Sequence, residues 1–212
     1  MLTVRIESGY QEQGDAERVA EILGKGGVGI IPTDTVYGLA ASALDREAVL
    51  RLLDIKGRTP DKPLPVHVSS AGEADTLAFA NRPPGDVLME AFWPGPLTLV
   101  MERRPGVDIP LQPPRALGLR VPDHRFCLEV LRRAGCLVVP SANLTGSPPP
   151  ALPADIAEEI MDRVDFMVDG GRCPEGVPST VVDLTDGLRI LREGAIPAEA
   201  IIDIAGGGAL SD

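Results

Sequence analysis

Val28-Gly29-Ile30-Ile31, followed at once by Pro32-Thr33-Asp34-Thr35-Val36-Tyr37-Gly38, is the stretch on which the fold turns. A short apolar run bounded by glycine and proline reads as a buried strand, so the polar loop begins where that strand leaves the core. The pattern returns further along, where Cys136–Val139 runs into Pro140-Ser141-Ala142-Asn143-Leu144-Thr145-Gly146. Strand ends of this kind are where α/β proteins hold ligands. Both loops carry small hydroxyl and amide groups, which reach a ligand at little cost in side-chain entropy. Between them lies Lys56-Gly57-Arg58, a cation on each side of a glycine. Hydroxyls, an amide and a close cation pair suit a polyanion with carboxylate or phosphate oxygens.

Working outward, Thr3–Glu7 alternates apolar and polar residues, and Asp15–Leu23 repeats apolar positions at Ala16, Val19, Ala20 and Leu23, the spacing of an amphipathic helix that Gly24 ends. A second helix starts at an Asp45 cap and runs to about Ile55, with Val49, Leu52 and Leu53 inward and Gly57 as its stop. Lys56 and Arg58 then sit at the helix exit, and neither reads as core. Leu64–Val68 is a strand pattern, and Ser70-Ala71-Gly72-Glu73 has the spacing of a capping box opening a helix through Ala80. Further helices are predicted at Gly85–Phe92 and at Asp123–Ala134, the latter closed by Gly135. Strands are predicted at Leu97–Met101, Ala116–Val121, Cys136–Val139, Asp165–Val168, Thr180–Leu184 and Leu188–Leu191. On them His67 points away from Val66 and Val68, and Arg120 away from Leu119 and Val121, toward solvent or a cleft. The mixture implies an α/β fold with a mixed sheet. The prolines of Pro105–Pro114 and Pro148–Pro153 argue for stiff loops, because apolar periodicity resumes after each. No internal repeat or domain boundary interrupts the 212 residues, which fit one large domain.

Composition narrows the function. Hydrophobic residues make up 44 % but aromatics only 3 %, so the core is aliphatic, with Trp93, Tyr10, Tyr37 and a few phenylalanines as its large rings, and a base-stacking surface is disfavoured. A net charge of −11 opposes broad attraction to nucleic acid or an anionic membrane. Arg103-Arg104 and Arg132-Arg133 read as a strand end or solvated face. Cys127, Cys136 and Cys173 are odd in number and lack a Cys-x-x-Cys pair, so they read as free, mostly buried thiols, with no metal site expected. No signal-peptide pattern or spanning apolar stretch is present, and a soluble cytoplasmic protein is expected.

Familiar nucleotide signatures are missing: there is neither Gly-x-x-x-x-Gly-Lys-Ser/Thr nor Gly-x-Gly-x-x-Gly with a strand-end acid. The glycines of Gly24–Gly29 precede a strand and suit a helix end and turn. Taken singly, the other candidates have plain structural explanations. Lys56 can complement the negative end of its helix, Arg58 can be a surface residue, Ser141 and Asn143 can turn the chain, and a lone strand histidine such as His67 is usually structural.

Taken together they carry a resemblance. Pro32-Thr33-Asp34-Thr35-Val36-Tyr37-Gly38-Leu39, Lys56-Gly57-Arg58, Trp93-Pro94-Gly95-Pro96-Leu97-Thr98, Leu119-Arg120-Val121-Pro122, Pro140-Ser141-Ala142-Asn143 and Ser179-Thr180-Val181-Val182-Asp183 occur in one order. The chain resembles the YrdC/Sua5 family of threonylcarbamoyl-AMP synthases over about residues 10–200, and is similar to its short form without a C-terminal Sua5 domain. The resemblance implies an open, twisted mixed α/β sheet with a large concave face, of the YrdC/RibB type. It also implies the conversion of L-threonine, bicarbonate and ATP to threonylcarbamoyl-adenylate and pyrophosphate, which supplies the t6A modification of tRNA made by a separate transferase complex. Carried over by position, Thr35, His67, Arg120 and Ser179 would hold threonine, and Arg58, Lys62, Ser141 and Arg192 would lie along ATP. Lys56, Arg58, Ser141 and Asn143 match the family's catalytic Lys-x-Arg and Ser-x-Asn signature. Mg²⁺ is expected with ATP, and no tightly bound organic cofactor is expected. Ala116 replaces a threonine that many relatives place near the nucleotide, and Lys62 replaces an asparagine of some. A paralogue binding another nucleotide or acyl-adenylate, and a non-enzymatic binder of structured RNA, are the alternatives.

Overall fold

The computed structural model describes residues 2–5 and 12–207, so Tyr10 and the end of the Thr3–Glu7 alternation lie outside the described residues. In chain order the elements are β1 (Leu2–Arg5), α1 (Glu12–Gly24), β2 (Gly29–Ile31), β3 (Gly38–Ser42), α2 (Arg46–Lys56), β4 (Val66–His67), α3 (Ala71–Leu77), α4 (Gly85–Phe92), β5 (Leu97–Glu102) and β6 (Ala116–Arg120). They continue as α5 (Arg125–Ala134), β7 (Leu137–Val138), α6 (Glu158–Met161), β8 (Phe166–Asp169), β9 (Thr180–Asp183), β10 (Arg189–Arg192) and α7 (Ala198–Gly207). The described strands form one ten-stranded sheet in the order β1-β8-β2-β3-β7-β4-β6-β5-β9-β10. β8 runs parallel to β1 and β2, β4 to β6, and β5 to β9, while the remaining neighbours are antiparallel, giving the mixed sheet expected.

Local chemistry sets the ends of α2 as expected. Asp45 Oδ1 accepts the Glu47 and Ala48 amides at 3.0 and 3.1 Å. At the other end Gly57 takes φ +63°, a left-handed conformation that costs a glycine no Cβ clash. Ser70 caps α3 through its Oγ, but the Glu73 carboxylate turns to Ser69 and leaves the box open. The helix also ends at Leu77 instead of Ala80, because Ala78 bridges to Arg103 and the Phe79 amide binds Glu102 O at the end of β5. α5 starts at Arg125 because His124 is its cap, Nδ1 accepting the Cys127 amide.

A strand residue reaches one face of the sheet only, and the alternation here divides the molecule into two cores. Ile30, Leu39, Val138 and Met167 pack with Val49 and Leu52 of α2, Leu88 of α4 and Ile201 of α7. Their neighbours Ile31, Ala40, Leu137 and Phe166 pack on the opposite face with Val19 and Leu23 of α1 and Phe126 and Val130 of α5. Burial on both faces explains why these strands are continuous apolar runs. Across β4, β6, β5 and β9, Val66, Leu97, Leu99, Leu117, Leu119 and Val182 still join the first core. The alternate residues His67, Thr98, Val100, Ala116, Gly118, Arg120 and Val181 instead floor a cavity on the other face.

The sheet packs closely at β2: a Cβ on Gly29 would drive into the Phe166 ring. Gly29→Ala is expected to lower unfolding free energy by at least about 1–3 kcal/mol, the usual cost of overpacking, measured by urea denaturation. An unchanged midpoint would show that Phe166 can swing aside.

Candidate active site

The cavity encloses about 290 Å³. Its floor is the uncovered half-sheet, where register partners His67 and Arg120 lie side by side on β4 and β6, and Thr98 and Val181 on β5 and β9. Small residues at Ala116 and Gly118 keep that floor open. Its walls are loop residues and one strand: Thr33 and Thr35–Gly38 after β2, Arg58 and Pro63–Pro65 after α2, Pro113 before β6, Val139–Ser141 after β7, Pro178–Ser179 before β9, and Leu191 and Arg192 of β10. Of the residues singled out in the sequence, Thr35, Arg58, His67, Arg120, Ser141, Ser179 and Arg192 line this space. Lys56, Lys62 and Asn143 are not among its lining residues.

At one end Arg120 is held on three sides. Nε donates to Gly95 O at 3.0 Å, Nη1 to Thr35 Oγ1 at 2.9 Å and Nη2 to Asp34 Oδ1 at 2.5 Å. Thr33 Oγ1 in turn shares a 2.9 Å hydrogen bond with Thr35 Oγ1 and accepts the Thr35 and Val36 amides. The loop is braced from behind, the amides of Glu175 and Gly176 donating to Asp34 O and Thr35 O. Asp34 and Arg120 are both buried, and among the described residues Asp34 Oδ2 has no hydrogen-bond partner. Burial and the neighbouring Arg120 guanidinium push the His67 pKa well below the ordinary histidine range, so its ring is neutral, and Nδ1 is buried without a partner among the described residues.

Next to it, Arg192 donates through Nε and Nη2 to Ser179 O at 3.1 and 2.8 Å, and Ser179 Oγ lies 2.9 Å from Thr98 Oγ1. Arg58 Nη2 donates to Pro63 O at 2.8 Å, while its Nε is buried and unpartnered among the described residues. Burial lowers the pKa of Arg192, and the guanidiniums of Arg120 and Arg58 lower it further. Cations that raise one another's energy in an empty cavity are relieved by an anion placed among them.

Lys56 corrects the expectation that neither signature cation belongs to the core: it is 4 % exposed. The last turn of α2 carries it under the loop after β7, where Nζ meets Ser141 O at 2.5 Å, Asn143 O at 2.9 Å and Asn143 Oδ1 at 3.1 Å. Arg58, beyond the glycine, is half-buried and turns to the cavity. Asp34 and Thr98 stood inside quoted motifs without a role. The alternation of Thr98 with Leu97 and Leu99 was the available signal for one, whereas nothing local to Asp34 reveals that its partner lies on β6.

The three cysteines are free and buried, as expected, and burial pushes the Cys127 thiol up to about 12. Among the described residues, no group of three or more His, Cys, Asp or Glu side chains is placed to hold a metal ion. No helix among them is long and apolar enough to cross a membrane.

The Sua5/YciO/YrdC family model, described as "Telomere recombination", matches residues 21–194. The threonylcarbamoyl-AMP synthases of Pyrococcus abyssi (strain GE5 / Orsay) and Bacillus subtilis (strain 168) are each 36 % identical to the chain over 196 residues, covering 88 % and 89 % of it. The chain spans 56 % of the length of each of these curated relatives. The crystal structure of P. abyssi Sua5 complexed with L-threonine matches with a TM-score of 0.86 at 34 % identity, over 97 % of this chain and 60 % of that one. With a family model matching most of its length and its sheet superposing on a solved member, the chain belongs to the Sua5/YciO/YrdC family.

Proposed function

We propose that this protein joins L-threonine, bicarbonate and ATP into threonylcarbamoyl-adenylate with release of pyrophosphate. The observation that carries the reading is the convergence, in one cavity, of Thr35, His67, Arg120 and Ser179 with Arg58, Ser141 and Arg192. Three of the five N–H donors of Arg120 are engaged within the protein, which leaves two for an amino-acid carboxylate. Asp34 fixes the guanidinium for that contact and balances its charge while the site is empty. Thr35, Ser179 and the neutral His67 ring face the remaining polar groups of threonine. The P. abyssi Sua5 structure is of a complex with L-threonine, which supports L-threonine as the amino acid.

The amine of threonine attacks the carbon of bicarbonate; water leaves and a carbamate remains. A carbamate oxygen then attacks the α-phosphorus of ATP, and the bond to the β-phosphate oxygen breaks as pyrophosphate departs. Arg58 and Arg192 stand where negative charge grows during that transfer, and preorganised cations in a partly desolvated site give the largest share of such catalysis. Ser141 orients the phosphates, and Lys62 joins them from the exposed loop after Arg58. Mg²⁺ arrives as part of the Mg·ATP substrate, and no organic cofactor enters the scheme. The carbamate and ATP react through positioning in one cleft. We place the protein in the cytoplasm, feeding a tRNA threonylcarbamoyl transferase. Direct RNA binding is disfavoured, since Arg103 and Arg104 pair with Asp108 and Asp75, and Arg132 and Arg133 with Glu129.

Pyrophosphate release by the purified protein with ATP and bicarbonate is expected to require L-threonine, with the threonylcarbamoyl-adenylate mass in the product. Arg58→Ala should slow it about 10²–10³-fold, the usual loss for an electrostatic group acting on the transition state. Arg120→Ala should chiefly raise the threonine concentration needed. Threonine-independent release, or none from folded protein that binds ATP, would sink the proposal. Asp34→Ala, which strands a buried guanidinium, should cost about 3–5 kcal/mol in chemical denaturation, and Asp34→Asn distinctly less.

A further inference from the structure

The cation of the Lys-Gly-Arg signature that does not line the cavity has a defined set of partners. An ammonium has three hydrogens, and those of Lys56 are matched by Ser141 O, Asn143 O and Asn143 Oδ1, with Ser141 Oγ more distant at 3.4 Å. Asn143 is equally committed. Its Oδ1 also accepts from Ser141 Oγ at 2.6 Å, and its Nδ2 donates to Leu144 O at 3.0 Å and Ser147 O at 2.6 Å. The backbone closes the ring: Thr145 N and Oγ1 both donate to Lys56 O, at 3.0 and 3.1 Å. Of this set only Ser141 lines the cavity.

We infer that Lys56 and Asn143 are positioning residues, a clasp that shapes the loop of residues 141–147 and aims Ser141 into the cavity, and that neither is a phosphate ligand. This rests on the proposed nucleotide end of the site but not on which amino acid is carbamoylated. The clasp needs a tripod of hydrogens on one small cation. A planar guanidinium supplies the charge without that geometry.

The proposal is tested on the whole protein with Lys56→Met, Lys56→Arg, Asn143→Ala and the Lys56→Met/Asn143→Ala double variant. Hydrogen exchange of the Ala142, Thr145 and Ser147 amides, which bond to Tyr37 O, Lys56 O and Leu144 O, should quicken about tenfold or more in Lys56→Met while the amides of α5 stay protected. The double variant should bind Mg·ATP little worse than the weaker single variant, because groups in one network are not additive. Lys56→Arg should fail to restore ATP binding. Unchanged loop exchange, additive losses, or near-native binding by Lys56→Arg would each overturn the clasp and make Lys56 a charge acting on phosphate.

If Lys56→Met does not fold, the natural chain carries the test. Burial and the Arg58 guanidinium push the Lys56 pKa down to about 8. Arg58 is the one charged side chain bearing on it among the described residues, and the groups facing it from the loop are neutral oxygens. Loop exchange, corrected for its intrinsic pH dependence, should therefore rise as pH passes through about 8. Over the same range the titration of Lys56 by itself adds global stability, since the unfolded chain binds the proton more tightly. Loop exchange that stays flat from pH 7 to about 10 would overturn the proposal. Both readouts need no amino acid, so a failure of threonine specificity leaves them intact.

Discussion

A residue on a strand can serve only one side of its sheet, and everything functional here follows from covering one side completely and the other only in part. Under α2, α4 and α7 the first core runs unbroken beneath both halves of the sheet. On the opposite side α1 and α5 pack with β1, β2 and β8, and the face over β4, β6, β5 and β9 is left to the cavity. The same period that buries Leu97 and Leu99 presents Thr98, and the period that buries Leu119 presents Arg120. The site is thus a stretch of sheet surface for which no apolar partner was provided, furnished with groups that prefer an anion.

Charge is arranged by depth within that surface. Arg120, at the floor, is compensated by Asp34, because an unpaired guanidinium so deep would cost several kcal/mol. Among the described residues Arg58 and Arg192, nearer the rim, hydrogen-bond to the carbonyls of Pro63 and Ser179 and to no carboxylate. The cavity therefore has a balanced floor and a positive rim. A zwitterionic amino acid suits the first and a polyphosphate the second, so the two proposed substrates would be sorted by net charge before any shape is considered.

Much of this was legible in the sequence. Capping signals gave the start and stop of α2, and apolar runs marked β2, β5, β6 and β9. β3 was not legible: Gly-Leu-Ala-Ala-Ser lacks the β-branched residues that announce a strand, and it is one only because it lies between β2 and β7. α7 escaped for a related reason, its small residues gaining order from packing against α4. Among the site residues, those of the two polar loops, the Lys-Gly-Arg pair and the strand faces were found by pattern, whereas Lys62, Ser179 and Arg192 came only with the family resemblance; seven of the ten line one cavity. The sense of Lys56 was not available, since a cation at a helix exit looks the same whether the next loop folds over it or away. Asp34 was hidden likewise, its meaning fixed by a partner 86 residues on.

The walls of the cavity come from six separated segments, from Thr33 to Arg192. No fragment of the fold holds the whole site, so local opening of any one wall disassembles it. Occupancy must then be felt by the entire molecule: a ligand at concentration [L] deepens the native well by RT ln(1 + [L]/Kd), about 2.7 kcal/mol at a hundredfold excess over Kd. The protein and whatever fills its cavity are in this sense one cooperative unit, and the chain is at its least durable when the cavity is empty.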